Sequence, residues 1–213
     1  MKKSLVFLLC LGILFSALPC CFADTNNNFT FRESITWGMS EKEVLSLEQE
    51  QNPWFSRTND GSFSMLQYDA IKVSTHQNTT LTYLFKNGML YNAVYTLNGA
   101  DESTAQYITQ AMTSKYGKAG ALGYDELVKF IEYIYHFMKT SGSPGAEGDF
   151  DPSVVSERLG VSEKDLPHIV LPGASWTLPD GTLILYTDQP LTQTPMLMYC
   201  SPEIVNGYDT DGL

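Results

Sequence analysis

The sequence predicts an α+β fold in which helices cover one face of an antiparallel sheet. Along the 213 residues, segments whose apolar residues alternate with polar ones are separated by segments with apolar residues at helical spacing. Asn87-Gly88 joins two of the alternating segments, and this dipeptide is a strong hairpin signal because both residues accept a positive φ. Since hairpins connect neighbouring antiparallel strands, this order of elements favours the α+β class.

Residues 1–23 are typical of a secretory signal peptide. Two lysines precede an apolar run at 5–18, which is too short to span a bilayer. Small residues at Cys21 and Ala23 predict cleavage after Ala23, which makes Asp24 the first residue of a secreted protein.

A lipoprotein is the alternative, in which Cys20 or Cys21 carries the lipid. That modification needs small residues just before the cysteine, whereas Leu18 and Pro19 occupy those positions. We therefore expect a secreted protein rather than a lipid-anchored one.

The chain is acidic, with 24 Asp and Glu against 13 Lys and Arg, and its formal net charge is −11. Removal of residues 1–23 takes away two lysines and no acid, so the secreted form has a net charge of −13. Nucleic acids and anionic lipids are poor partners for such a surface. The acidic surface either keeps the protein soluble or docks a basic partner, and the sequence leaves both open.

The first half of the sequence predicts a helix followed by a strand meander. Ser40 and Glu43 have the spacing of a capping box for a helix over 41–50, and Asn52-Pro53 ends the helical pattern. From residue 62 onward the pattern has period two. The predicted strands are 63–68, 71–74, 81–85 and 90–96, the last with Tyr91, Ala93 and Tyr95 on one face.

The second half predicts three helices and then three strands. Helical spacing predicts one helix over 101–116, capped by Gly117, and an amphipathic helix over 125–139. Asp151-Pro152 begins a short third helix that Gly160 ends. A Gly- and Ser-rich loop is predicted at 140–148, and strands at 175–178, 182–187 and 196–200 with a turn at Pro179-Asp180-Gly181.

The domain organisation is one α+β domain over 31–202, between a flexible lead-in at 24–30 and a loose tail at 203–213. A helix followed by a meander occurs twice in the pattern, so a tandem duplication is a hypothesis. Its units would span 31–98 and 99–202, the second with an insertion over 119–172.

The segment Trp37-Gly38-Met39-Ser40-Glu41-Lys42-Glu43-Val44 resembles the Gly-Met-Ser/Thr helix start of the β-lactamase-inhibitor-protein-like and SmpA/OmlA-like superfamily of small secreted or lipid-anchored bacterial proteins. The segments at 83–88, 115–117 and 176–182 are similar to parts of uncharacterised secreted proteins of gut Gram-positive bacteria. One departure is Gln51-Asn52-Pro53, where that superfamily has a Gly-x-Pro turn. The resemblance implies a binding or assembly role on an antiparallel sheet and supplies no catalytic residues.

The sequence contains no linear motif for catalysis, a metal or a cofactor. His76, His136 and His168 lack metal-ligand spacing, and there is no P-loop, dinucleotide-binding loop or Gly-x-Ser-x-Gly elbow. We therefore expect no cofactor, metal site or catalytic residue. Cys200, the one cysteine outside 1–23, is expected to be a buried apolar residue, and Cys200 with His168 is the one nucleophile pairing to test.

Tyr83, Phe85, Tyr91 and Tyr95 are the candidate binding residues, because they lie in the predicted central hairpin. Tyrosine suits both a binding face and the edge of a core. If helices cover one face of the sheet, these aromatic residues form a platform on the other face. In the alternative, they are core residues and cross-strand pairs.

Three functions are compatible with these features. The first is a secreted, non-enzymatic protein that binds another protein or an envelope component through its sheet face. The second is a small extracytoplasmic hydrolase, which a cleft with two carboxylates or Cys200 beside His168 would favour. The third is a small-ligand or lipid-binding module, which an apolar cavity beneath Leu127, Ile131 and Ile134 would favour.

Overall fold

The structure is a computed structural model that describes residues 29–73, 76–125, 127, 128, 131, 151, 153–188 and 194–205. These residues form an eight-stranded antiparallel sheet with helices packed on it, which confirms the α+β prediction. The strands are β1 (Trp54–Arg57), β2 (Phe63–Val73), β3 (His76–Lys86), β4 (Met89–Leu97), β5 (Gly120–Leu122), β6 (Leu171–Thr177), β7 (Leu183–Thr187) and β8 (Met196–Cys200). The helices are α1 (Glu41–Leu47), α2 (Glu102–Tyr116), α3 (Ser153–Leu159) and α4 (Pro202–Val205), and 3-10 turns lie at Arg32–Ser34 and Glu163–His168.

The strand order in the sheet is β1-β2-β3-β4-β8-β7-β6-β5. Two meanders therefore meet along their last strands, where β4 pairs with β8 from Asn92↔Cys200 to Thr96↔Met196. In the chain, α1 precedes the first meander and α2 precedes the second. This arrangement agrees with the repeated pattern in the sequence, and an origin by duplication stays a prediction.

Helices α1 and α2 lie on one face of the sheet, which we call the helix face. Their buried residues Val44, Ala105, Ile108 and Met112 belong to one core cluster with the side chains that the strands direct to this face. The amphipathic pattern of each helix explains this placement, because its apolar side needs a surface to bury against.

A segment that we call the strap, residues 29–37, packs on the helix face against both meanders. The ring of Phe31 lies 5.8 Å from that of Tyr83 in the first meander and 4.8 Å from that of Tyr199 in the second. Phe29, which the sequence assigns to the flexible lead-in, is buried because its ring stacks on that of Tyr199. The strap therefore fastens the two halves of the sheet to each other.

The opposite face of the sheet is covered over the second meander by the predicted insertion. Leu127, Val155 and Leu166 are buried in a second cluster with sheet residues such as Leu185. Helical segments thus lie on both faces, whereas the sequence predicts them on one. The physical reason is that the apolar stripe of the insertion must itself be buried, and the uncovered sheet face supplies the surface.

The predicted capping box at the start of α1 is confirmed. Ser40 Oγ accepts a hydrogen bond from the Glu43 amide, and Glu43 Oε2 accepts one from the Ser40 amide. The helix ends at Leu47, earlier than predicted, because the Glu48 carboxylate is buried and accepts hydrogen bonds from the two amides that follow it. The chain therefore turns toward the sheet instead of continuing the helix.

Two irregularities change the strands from their predicted form. A bulge at Asp69 and Ala70 bends β2 without ending it, so one strand replaces the two predicted ones. A register shift between β3 and β4 places Tyr91 in the cluster opposite to that of Ala93 and Tyr95. The prediction that these three residues share one face is therefore wrong, because the extra residue of a bulge reverses the alternation.

The other predicted elements of the second half are present where the structure describes them, although β6 begins at Leu171 rather than at residue 175 and β5 was not predicted. Helix α2 is capped by Asp101 and ends at Gly117, which has a φ of 89°. Helix α3 follows Asp151, and Asp180 lies in the turn between β6 and β7. Most of the predicted helix at 125–139 and the whole predicted loop at 140–148 lie outside the described residues. Among the helices that the structure describes, none has the length and apolarity needed to cross a bilayer.

Candidate functional site

The four aromatic residues predicted to bind a partner are buried. Tyr83 and Phe85 are 0% exposed, Tyr91 is 4% exposed and Tyr95 is 8% exposed. Tyr83, Phe85 and Tyr95 lie in the cluster of the helix face, and Tyr91 lies in the cluster of the opposite face. Since a folded partner cannot reach these side chains, the structure favours the alternative of core residues, and we leave all four out of the candidate site.

Tyr83 instead belongs to a buried polar cluster around Glu48. Tyr83 Oη donates to Glu48 Oε2 at 2.6 Å, and Arg32 Nη2 lies 3.2 Å from Glu48 Oε1. The side chain of Glu48 is fully buried, whereas that of Arg32 is 22% exposed. A buried carboxylate needs such partners to offset the loss of hydration. The cluster thus connects the strap and the end of α1 to β3, which is a structural role.

Burial raises the pKa of the tyrosines in and around this cluster. The pKa of Tyr95 is raised to about 12 by burial, against the opposing effect of Arg32. The pKa of Tyr68 is raised to about 12 by burial and by the nearby charge of Glu48. The pKa of Tyr83 is raised further, first by burial and then by its hydrogen bond to Glu48. These hydroxyls stay protonated near neutral pH, so they are poor candidates for a general base.

Cys200 is confirmed as a buried residue and is 1% exposed. Asn92 Nδ2 donates to its sulfur at 3.3 Å, and burial raises the pKa of the thiol to about 12. A cysteine nucleophile reacts as the thiolate, which such a pKa disfavours. His168 is exposed at the end of a 3-10 turn. The predicted Cys200 and His168 pairing therefore has no support in the structure.

The apolar residues Leu127 and Ile131 of the insertion pack against the sheet and do not line an apolar cavity in the described part of the chain. Leu127 is 0% exposed, and Ile131 packs against the same cluster. Ile134 lies outside the described residues. The two described residues of the stripe thus act as core.

Strand β1 exposes two aromatic side chains at the edge of the sheet. Trp54 is 55% exposed and Phe55 is 46% exposed. Phe55 pairs with Leu66 and shares the helix face, whereas Trp54 pairs with Gln67 and lies on the opposite face. Because β1 is the first strand in the sheet order, β2 is its only partner among the described strands.

The outer edge of β1 also presents main-chain groups. The amide of Thr58 donates to the carbonyl of Phe63 at 2.9 Å, so the main chain of Thr58 faces β2. Main-chain groups alternate in direction along a strand, so those of Ser56 face β2 as well and those of Phe55 and Arg57 face away. The N–H and C=O groups of these two residues are placed to pair with a further strand.

One exposed leucine of α1 lies on the side of this edge. Leu45 is 45% exposed and follows Glu41 by one helical turn. Helix α1 lies beside β1, since Arg57 Nη2 contacts both carboxylate oxygens of Glu41 at 2.9 and 2.8 Å. We call the outer edge of β1, together with Trp54, Phe55 and Leu45, the edge surface.

Charged residues of both signs lie near the edge surface. The charge of Arg57 is matched by its ion pair with Glu41. Asp60, in the turn after β1, has its pKa lowered to about 2 by hydrogen bonds from Thr58 and Ser62, so this exposed carboxylate is ionised near neutral pH. The edge surface is therefore apolar, with the ionised carboxylate of Asp60 in the turn that follows β1.

Metal binding and known relatives give no further assignment. Among the residues that the structure describes, no group of three or more His, Cys, Asp or Glu side chains is placed to hold a metal ion. No family model matches the chain, and no match was found among the curated proteins or among the solved structures.

Proposed function

We propose that the protein is a non-enzymatic, extracytoplasmic binding protein that accepts an extended segment of a partner protein as an additional strand on β1. In strand addition, main-chain hydrogen bonds supply affinity and alternate side chains supply specificity. The observation that carries the proposal is the exposure of Trp54 and Phe55 on the two sides of one edge strand. Folded proteins normally protect apolar edge strands, because such edges pair with other chains.

The two aromatic side chains provide an anchor on each side of the added strand. Tryptophan and other large side chains are enriched among the residues that carry most binding energy at interfaces. The Arg57 guanidinium lies 5.3 Å from the centre of the Phe55 ring, and Glu41 holds that guanidinium in place. Phe55 is therefore partly ordered before any partner arrives, which lowers the entropic cost of binding.

The charge distribution argues for a basic partner segment. Arg57 is already paired with Glu41, while Asp60 remains as an exposed carboxylate beside the strand. The whole chain carries a net charge of −11, which attracts basic partners over a distance and repels acidic ones. We expect a partner segment in which apolar residues alternate with Lys or Arg.

The extracytoplasmic location rests on the sequence of residues 1–23. Intact mass measurement of the protein exported by its source cell is expected to find Asp24 as the first residue. Retention of residues 1–23, or a lipid on Cys20 or Cys21, would contradict this part of the proposal.

Selection from a library of short random peptides tests the binding site without a known partner. The library is selected on the protein and counter-selected on the Trp54→Ala/Phe55→Ala double variant. We expect peptides with alternating apolar and basic residues whose affinity falls at least about tenfold on the double variant. Tyr107→Ala on α2 is the matched control, because Tyr107 is an aromatic residue that is 48% exposed away from β1. Binders that tolerate the double variant, or an absence of binders, would count against the proposal.

N-methylation of the selected peptides separates strand addition from side-chain docking. Alternate amides of an added strand face β1, so methylation of one alternate set is expected to abolish binding while methylation of the other set is tolerated. Equal tolerance of both sets would show that the peptide binds through side chains alone, which contradicts strand addition.

A further inference from the structure

A cleft lies at the end of the sheet where the β3–β4 and β6–β7 turns meet the chain that leaves β8, and no residue of the edge surface lines it. Its volume is about 440 Å³, within the range of small-molecule sites. The residues that matter for its chemistry are Trp37, Lys86, Asn87, Asp180, Ser201 and Glu203. They come from four separate parts of the chain, so the cleft forms only in the folded protein.

The indole of Trp37 is held in a fixed orientation in the wall of the cleft. Its Nε1 donates to Thr182 Oγ1 at 2.8 Å, and its ring stacks on that of Phe29 at 5.6 Å. Thr182 is 0% exposed and donates through Oγ1 to Asp180 Oδ2 at 3.0 Å, and the same carboxylate oxygen accepts from the Phe29 amide at 2.7 Å. The aromatic wall is therefore organised before a ligand binds, which lowers the cost of binding.

The β6–β7 turn is packed against the start of α4, which keeps the cleft walls together. Gly181 has a φ of 88°, and an added Cβ at this position would lie 3.2 Å from Pro202 Cβ. Only glycine combines this conformation with this close packing. The turn that carries Asp180 therefore packs closely on the proline that precedes Glu203.

The polar groups of the cleft include both donors and acceptors. Asp180 and Glu203 carry carboxylates, Lys86 carries an ammonium group and Asn87 carries an amide. Ser201 is 3% exposed, and its hydroxyl has no hydrogen-bond partner among the described residues. Two carboxylates against one ammonium group make the cleft unfavourable for anions.

We propose that this cleft binds a neutral or amine-bearing sugar ring of a glycan. A sugar ring presents an apolar C–H face, which packs on an aromatic ring such as that of Trp37. Its hydroxyls both donate and accept, so they match the mixed carboxylate, amide and ammonium groups of the walls.

Titration with soluble disaccharides, followed by the indole N–H resonances in NMR, tests this site. The probes are cellobiose, maltose and N,N′-diacetylchitobiose. We expect at least one of them to shift the Trp37 indole resonance saturably, while the Trp54 indole resonance on β1 stays unchanged. No saturable shift at Trp37 with any probe, or equal shifts at both indoles, would overturn the proposal.

A pair of matched variants makes the test specific for the cleft. Glu203→Gln changes an exposed residue in the wall and is expected to weaken disaccharide binding about tenfold, as expected for loss of a hydrogen bond to a charged group. Glu102→Gln changes an exposed residue at the start of α2 and is expected to leave the affinity unchanged. Equal affinity in the two variants would contradict the site. Because the cleft and the edge surface share no lining residue, this result is independent of the peptide-binding proposal.

Discussion

Glu48 shows how one side chain positions three segments of the chain. Its fully buried carboxylate accepts the Tyr83 hydroxyl from β3, pairs with Arg32 of the strap and receives the two amides that follow α1. A buried carboxylate is tolerated only when it is paired and hydrogen-bonded in this way. The sequence shows each of these residues but not their contact, because Glu48 and Tyr83 are 35 residues apart.

Removal of this carboxylate is expected to destabilise the protein strongly. Glu48→Ala should lower the free energy of unfolding by about 3 kcal/mol, at the low end for a broken buried ion pair because Arg32 keeps some contact with water. Tyr83→Phe should lower it by only about 1–2 kcal/mol, since the carboxylate keeps its other donors. Denaturant unfolding of both variants measures these losses. A Glu48→Ala variant as stable as the parent chain would disprove the structural role of the cluster.

The buried tyrosines predict a loss of stability at alkaline pH. Tyr68 and Tyr95 have pKa values of about 12 in the folded protein, above the ordinary value of 10.0 that they take in the unfolded chain. The unfolded chain therefore loses these protons first, so stability is fully present below about pH 10 and falls as the pH rises toward about 12.

Tyr68→Phe is the variant that checks this pH dependence. The Tyr68 hydroxyl makes no hydrogen bond to a described residue, so its removal breaks no such contact. Phenylalanine cannot ionise, and the stability of the variant should fall less steeply above about pH 10. Unfolding free energies measured across this range give the two slopes. Identical slopes for the variant and the parent chain would mean that Tyr68 does not contribute.

At the level of single elements, α1 tests the capping argument. Ser40→Ala removes the side chain that accepts from the Glu43 amide and should lower the free energy of unfolding by about 1 kcal/mol. Ser40→Asp keeps an acceptor at the same position and serves as the control. Thermal or denaturant unfolding distinguishes the two, and a loss within error for Ser40→Ala would reject the cap.

The elements with strong local signals could be predicted from the sequence, and the candidate site could not. Capping boxes and Asn-Gly turns are local, so α1 and the β3–β4 hairpin follow from a few residues. Strand β1 has only four residues, and its two aromatic residues, Trp54 and Phe55, are adjacent and exposed. The alternation of apolar and polar residues that indicates a strand in a sequence is therefore missing. The sequence signal for this site is the pair of adjacent aromatic residues directly after Pro53.

The burial of the predicted binding residues could not be predicted from the alternation of apolar and polar residues alone. Alternation places Tyr83 and Phe85 together, but it does not say which face the helices will cover. The register shift before Tyr91 then moved that side chain to the other face. Residues on a strand can thus be grouped from sequence, while their exposure is decided by tertiary packing.

Across the whole molecule, the two meanders form one continuous sheet, and the strap packs across its centre. Phe31 contacts aromatic residues of both halves, and the strap hydrogen-bonds to the β6–β7 turn through Phe29 and Asp180. The centre of the sheet is therefore well packed, while β1 at its edge has, among the strands that the structure describes, a neighbour on one side only. This contrast supports binding at the edge rather than at the centre.

Amide hydrogen exchange by NMR, measured with and without a selected peptide, tests the binding account most directly. The account predicts that in the free protein the Phe55 and Arg57 amides exchange fast while the Ser56 amide is protected by β2, and that the peptide then protects Phe55 and Arg57. Unchanged fast exchange at Phe55 and Arg57 with the peptide bound would contradict strand addition on β1.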